Sequence, residues 1–335
     1  MSSWWSGLLF CSVSASLLPD GGRLHAQSLD SAANYGLSEE RIGAAIRALT
    51  SPAAIRARRR KIADDLMVDS WEVRHDPSIP RWEVVTKIDE VVDQDAAELA
   101  ATVDESVATS QRRLGLDVVD TVCIHNFDMY RAHDGAAWKR LLHHRDSLGT
   151  VRRCGVSLAT VDEAIACLAD DDVQHIQLPL NLLDYRWRAA DFRAAMARRS
   201  DVTIHARSAF LQGTLINDAA LWPEWAQEEG WPARVLEPLD GLVSSLGRKS
   251  RADLCIAYAR GLSFVTHVLI GMRSVEQLHE NLSLFEDCAP LTAEEVAVVE
   301  AEMPMVSERL VSPWLWSDAG WEAHQQAAAA SKPRL

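Results

Sequence analysis

Arg153–Leu178 runs RCGVSLATVDEAIACLADDDVQHIQL. Its first four residues and its last four, HIQL, are short apolar runs of β type. Between them Val161–Leu168 sets apolar side chains along one helical face. Strand, helix and strand in this order make a parallel pair joined by a crossover. The unit repeats outward in both directions. Upstream, EVVT (Glu83–Thr86) and TVCI (Thr121–Ile124) flank Ala96–Leu114, where Leu99, Val103, Val107 and Leu114 share one face. Downstream follow a helix over Arg188–Ala197, the strand VTIH (Val202–His205), a helix over Val235–Leu246, the strand VTHVLI (Val265–Ile270) and a helix over Val275–Phe285. Strands this short and apolar suit a parallel sheet covered on both faces. With so many units in one chain, the pattern predicts a closed (β/α)8 TIM barrel, with its site on loops at the C-terminal strand ends.

The chain of 335 residues is 48% hydrophobic, enough for one large barrel, and no composition shift marks a second domain. A formal net charge of −14 argues against a nucleic-acid partner, whose phosphates need clustered cations. The one dense basic run, Arg56–Lys61, is read as a solvated helix face. Six cysteines, at positions 11, 123, 154, 167, 255 and 288, form no C-x-x-C pair. Cys123 and Cys154 lie in apolar runs, so a reducing cytosol is expected rather than disulfides or a zinc site. Met1–Leu18 is apolar, but no Lys or Arg precedes it and no small-residue cleavage site follows. Neither a secretory leader nor a membrane span is expected, and the expected location is the cytoplasm. The expected divisions are an atypical segment 1–27, a barrel over 28–312 and a tail over 313–335. Ser51–Pro80, charged and with three prolines, reads as an insertion holding one helix near Ala53–Leu66. The tail carries Trp314, Trp316 and Trp321, then an Ala/Gln run expected to fray.

The chemistry concentrates in Leu29–Gly43, LDSAANYGLSEERIG. Ser38 with Glu39 opens a helix, Ser38 being the expected N-cap. Asp30 then sits at a strand end and Tyr35 on the following loop. Lys87 ends the EVVT strand, and His125 follows TVCI. Asp, Tyr, Lys and His from successive strand ends form a proton-donor set. A phenol with a pKa near ~10 keeps its proton at neutral pH, and a nearby ammonium makes that proton easier to give. Asp30 would hold Lys87 by pairing with it, and His125 would orient a carbonyl or share the proton. A metal-dependent hydrolase is disfavoured, because His143 and His144 are adjacent on a helical stretch and no H-E-x-x-H occurs.

These residues resemble the aldo-keto reductase superfamily. Asp30-x4-Tyr35-Gly36-x-Ser38-Glu39 is similar to its D-x4-Y-G-x-S-E signature, and Lys87 and His125 match its third and fourth catalytic positions. The resemblance implies NADPH, or alternatively NADH, as cofactor and a small or sugar-like carbonyl as substrate. It also implies a set of cofactor-binding residues. Gly155-Val156-Ser157 matches the motif after the fifth strand, with Leu158 where the family usually has Asn. Gln177, in QLPLNLLDYR with Asn181, would hold the nicotinamide carboxamide. In RSAFLQG, Arg207 takes the place of a stacking aromatic ring, Ser208 and the backbone after it would meet the pyrophosphate, and Phe210, Leu211 and Gly213 complete the loop. In GMRSVEQLHEN, Gly271 opens the turn, Arg273 would pair with the 2′-phosphate, and Gln277 and Asn281 would face the adenine.

The resemblance stops at Leu29. Pro19–Gln27 is too short for a crossover helix to a parallel neighbour. The first strand–helix unit is therefore expected to be lost or rewritten: either a substitute segment closes the barrel, or the barrel is open, with Asp30 and Tyr35 next to an exposed edge. A nucleotide-binding scaffold with little or no catalysis is the alternative function.

Overall fold

The computed structural model describes residues 11–16, 26–50, 83–91, 94–272 and 274–331. Eight strands close into one barrel in sequence order. They are β1 (Cys11–Ser16), β2 (Ala26–Asp30), β3 (Glu83–Lys87), β4 (Val119–Ile124), β5 (Val151–Ser157), β6 (His175–Pro179), β7 (Thr203–Arg207) and β8 (His267–Met272). From β2 to β8 every neighbouring pair is parallel. The exception is β1, which runs antiparallel to both β2 and β8. The rewritten first unit is thus a substitute strand that closes the barrel. A short connection permits an antiparallel neighbour where a parallel one would need a long crossover.

The main helices are α1 (Ser38–Thr50), α2 (Ala96–Leu114), α3 (Phe127–His143), α4 (Val161–Leu168), α5 (Ala190–Arg198), α6 (Glu224–Glu228), α7 (Trp231–Ser245), α8 (Arg251–Gly261), α9 (Val275–Asp287), α10 (Ala293–Glu302), α11 (Glu308–Val311) and α12 (Asp318–Ser331). Capping boxes at Asp95/Glu98, Thr160/Glu163 and Thr292/Glu295 start α2, α4 and α10. The strand expected over Val265–Ile270 lies two residues later, because Val265 closes a turn onto Leu262. The tail expected to fray is helical over Asp318–Ser331, and Arg309 fastens its start through Asp318. The helix expected near Ala53–Leu66 lies outside the described residues. No helix among them is long and apolar enough to cross a membrane.

Two glycines set how closely elements approach. A Cβ on Gly43 would come within 2.3 Å of the Arg113 carbonyl oxygen, so this glycine lets α1 lie against the end of α2. A Cβ on Gly155 would come within 2.4 Å of the His175 carbonyl oxygen and 3.0 Å of Cys123 Sγ. Its absence leaves room at the centre of the barrel.

That centre is polar. At the N-terminal end, Arg153 pairs with Glu83 and donates to Thr121 Oγ1 at 3.2 Å. Further along, the rings of His175 and His205, both buried, lie 4.2 Å apart edge-on, and those of His205 and the half-buried His267 lie 4.5 Å apart at a tilt. Burial holds all three imidazoles neutral, pulling His267 down to about 4 and the other two well below the ordinary histidine value. Among the described residues, no group of His, Cys, Asp and Glu is arranged to hold a metal ion.

Candidate active site

The C-terminal end of the barrel carries Asp30 on β2 and Lys87 on β3, both buried. Lys87 Nζ donates to Asp30 Oδ2 at 2.9 Å and to the Ser31 carbonyl oxygen at 2.8 Å. Burial opposes the Lys87 ammonium, but Asp30 and then Tyr35 outweigh it, and the pKa lies above the ordinary lysine value. Lys87 is therefore a permanent cation here. Its Nζ lies 5.4 Å from the centre of the half-buried Tyr35 ring.

His125 follows β4, and its ring meets that of Tyr35 edge-on at 6.3 Å. Burial, and next Lys87, lower its pKa against the pull of Glu90, so the imidazole is neutral at neutral pH. Its Nδ1 is buried with no hydrogen-bond partner. The structure thus brings Asp30, Tyr35, Lys87 and His125 to one end of the barrel. Cys123 lies beneath them, and burial pushes its thiol far up, so it is no nucleophile.

The Tyr35 loop is held from behind by residues whose roles were not visible in the sequence. Glu39 is buried on α1, where its Oε1 accepts from Thr86 Oγ1 at 2.7 Å and from Ser110 Oγ at 2.6 Å. Arg113, on α2, reaches Glu39 Oε2 at 3.3 Å and donates to the Ala33 carbonyl oxygen at 2.9 Å. Glu39 lies in the quoted stretch Leu29–Gly43 and Arg113 in the expected helix Ala96–Leu114. What no local pattern reveals is that they meet.

The residues expected around a cofactor follow the same rim. Ser157 on β5 is in register with Gln177 on β6, and both are buried. Gln177 donates its Nε2 to Asp30 Oδ1 at 2.8 Å, a partner the sequence did not indicate. At the end of β7, Arg207 donates to the Leu158 carbonyl oxygen at 2.9 Å. Burial lowers its pKa, opposed by Tyr35, Asp30 and Glu163, but a guanidinium stays charged. No carboxylate among the described residues pairs with it within 4.0 Å, so this cation is available to the site.

The loop that follows is twisted. Ser208, Leu211 and Gln212 adopt left-handed φ values of 66°, 44° and 57°, and Gly213 adopts 89°. Such conformations cost roughly 1–2 kcal/mol per non-glycine residue and collect at functional loops. Phe210 is half-buried there, and Leu211 is buried. Gly271 is exposed and lies inside β8, paired with β1, rather than on a turn; beyond the strand Ser274 caps α9 by accepting from the Gln277 backbone N–H, Gln277 is exposed and Asn281 half-buried. Arg273 lies outside the described residues.

The chain is similar to known proteins in sequence and in fold. The family model described as Aldo/keto reductase family matches residues 24–302. Among solved structures, an aldo-keto reductase of Bacillus halodurans aligns over 85% of each chain at 20% identity, with a TM-score of 0.57. An aldo/keto reductase of Brucella melitensis aligns over 82% of this chain and 84% of its own, at 16% identity and a TM-score of 0.52. No curated protein matches the chain.

Proposed function

The chain belongs to the aldo/keto reductase family, and we propose that it is an active, NADPH-dependent member that reduces a small, sugar-like aldehyde or ketone in the cytosol. The observation that carries this reading is the buried Lys87 ammonium, held by Asp30 at 2.9 Å and facing the Tyr35 ring at 5.4 Å. A scaffold that only bound nucleotide would have no use for a buried cation kept beside a phenol.

The residues present fit a nicotinamide dinucleotide. The half-buried Arg207 offers a planar cation to the site, and the left-handed residues Ser208, Leu211, Gln212 and Gly213 turn the backbone sharply beside it. Ser157, Gln177, Arg207, Ser208, Phe210, Leu211 and Gly213 would hold the nicotinamide half. Gly271, Arg273, Gln277 and Asn281 would hold the adenosine end, with Arg273 selecting the 2′-phosphate. When bound, NADPH supplies the hydride and is itself oxidised. Tyr35 would give its phenolic proton to the substrate's carbonyl oxygen as negative charge develops there. Lys87 stabilises the phenolate left behind, and neutral His125 orients the carbonyl by hydrogen bonding. Water returns the proton to Tyr35 after the alcohol leaves.

The test is loss of NADPH absorbance with p-nitrobenzaldehyde as the carbonyl. Tyr35→Phe should lower kcat by about 10²–10⁴-fold, the usual scale of general acid catalysis, with NADPH affinity nearly unchanged. NADPH should bind more tightly than NADH, and Arg273→Ala should remove most of the difference. A Tyr35→Phe enzyme with near-full turnover would refute the proton-donor assignment.

A further inference from the structure

Asp30 presents two carboxylate oxygens to the buried barrel interior, and a different residue occupies each. Oδ2 accepts from Lys87 Nζ at 2.9 Å, and Oδ1 accepts from Gln177 Nε2 at 2.8 Å. Asp30, Lys87 and Gln177 are 3%, 2% and 2% exposed, so water does not substitute for either donor. Gln177 stands on β6, four strands from β2 whichever way the closed barrel is followed. The amide therefore reaches across the barrel rather than along its wall. Among the described residues, Lys87 alone would leave Asp30 Oδ1 without a donor, and a buried carboxylate oxygen left without one is destabilising.

We propose that Gln177 is a positioning residue for proton transfer: by holding Asp30 Oδ1 from across the barrel, it fixes the carboxylate that aims the Lys87 ammonium at the Tyr35 ring. This rests on the reading of Tyr35 as the proton donor. It adds a role for Gln177 separate from any contact with a cofactor, for which its Oε1 remains free of the Asp30 bond. The amide suits the task because it donates without adding charge. Lys87, Tyr35, Cys123, His125 and Arg207 already surround the pair, and a second cation or anion there would disturb all of them.

The proposal is tested by a double-mutant cycle on the full chain, with kcat read from NADPH and p-nitrobenzaldehyde. Gln177→Leu should lower kcat by about 10- to 100-fold, the rate equivalent of one hydrogen bond to a charged group. In an Asp30→Ala background the same substitution should have little further effect, because its target is gone. Unfolding midpoints of the cofactor-free proteins should show the same non-additivity. Gln177→Glu supplies a donor only when protonated, so its kcat relative to Gln177→Leu should rise as pH falls. If Gln177→Leu does not fold, Gln177→Glu set against the unmodified enzyme gives the same pH-dependent readout. Additive losses in kcat, accompanied by a rise in the NADPH Kd, would assign Gln177 to the cofactor alone and overturn the proposal. A fully active Tyr35→Phe enzyme would instead remove the reading beneath it, whatever the cycle gives.

Discussion

Glu39 and Arg113 meet at 3.3 Å between α1 and α2, and through that contact the loop bearing Tyr35 is held by a helix remote from it in sequence. Arg113 also grips the Ala33 carbonyl oxygen at 2.9 Å, just ahead of Tyr35. Glu39→Leu would strip Thr86 and Ser110 of their shared acceptor and leave Arg113 without this partner. We expect a stability loss of roughly 2–4 kcal/mol, from two orphaned hydroxyls at about 1–3 kcal/mol each, partly relieved by relaxation. The NADPH Kd should change little, while kcat falls, because Tyr35 is displaced and the cofactor loops are not. Denaturant unfolding and steady-state kinetics on the same variant check both expectations.

Lys87→Met leaves Asp30 as a buried carboxylate held only by Gln177. Breaking a buried pair from one side costs about 3–5 kcal/mol, whereas removing both charges costs much less. The single variant should therefore unfold more readily than the Lys87→Met/Asp30→Leu double variant, although both lose most turnover. Equal stability of the two would mean that the pair carries no buried-charge penalty.

Acid should destabilise the barrel through the clustered imidazoles. In the unfolded chain His175, His205 and His267 titrate near ~6.5, while in the fold their pKa values are depressed, that of His267 to about 4. The unfolded state then binds more protons, so stability is complete above about pH 6.5 and falls as pH drops toward 4. Each such histidine contributes up to about 1.4 kcal/mol per pH unit within that window. Arg153 opposes protonation of all three rings and Lys87 that of His175 and His205, while Glu83 favours it only at His267. Replacing one ring, as in His205→Leu, should make the plot of unfolding free energy against pH shallower by about that amount. An unchanged slope would show that these rings are not the acid-sensitive groups.

The antiparallel β1 covers β2 on one side while β3 covers it on the other. Amide exchange at Leu29 and Asp30 should therefore be as slow as at Val85 and Val122. Removing residues 1–16 would expose the edges of β2 and β8, and an uncovered edge invites pairing with another chain. Faster exchange at Leu29 and Asp30, with self-association on dilution into assay buffer, is expected of the shortened chain alone.

The parts of the molecule that the sequence determined are those governed by neighbours along the chain. The bounds of α2 and α4 follow from their apolar spacing and their capping boxes, which involve residues only a few positions apart. The strand ends that place Asp30, Lys87 and His125 follow from short apolar runs in the same way. Where local spacing is broken the sequence misleads. Only the end of α3, at His143, reads as helical in the sequence, because Ala132, His133, Asp134 and Gly135 leave helical geometry ahead of it and interrupt the pattern. Tertiary structure alone decided that β1 runs antiparallel, that Glu39 meets Arg113, that three histidines cluster inside the barrel and that Gln177 reaches Asp30. Each of these joins residues distant in sequence, and the closure of the barrel, not any local preference, brings them within bonding distance.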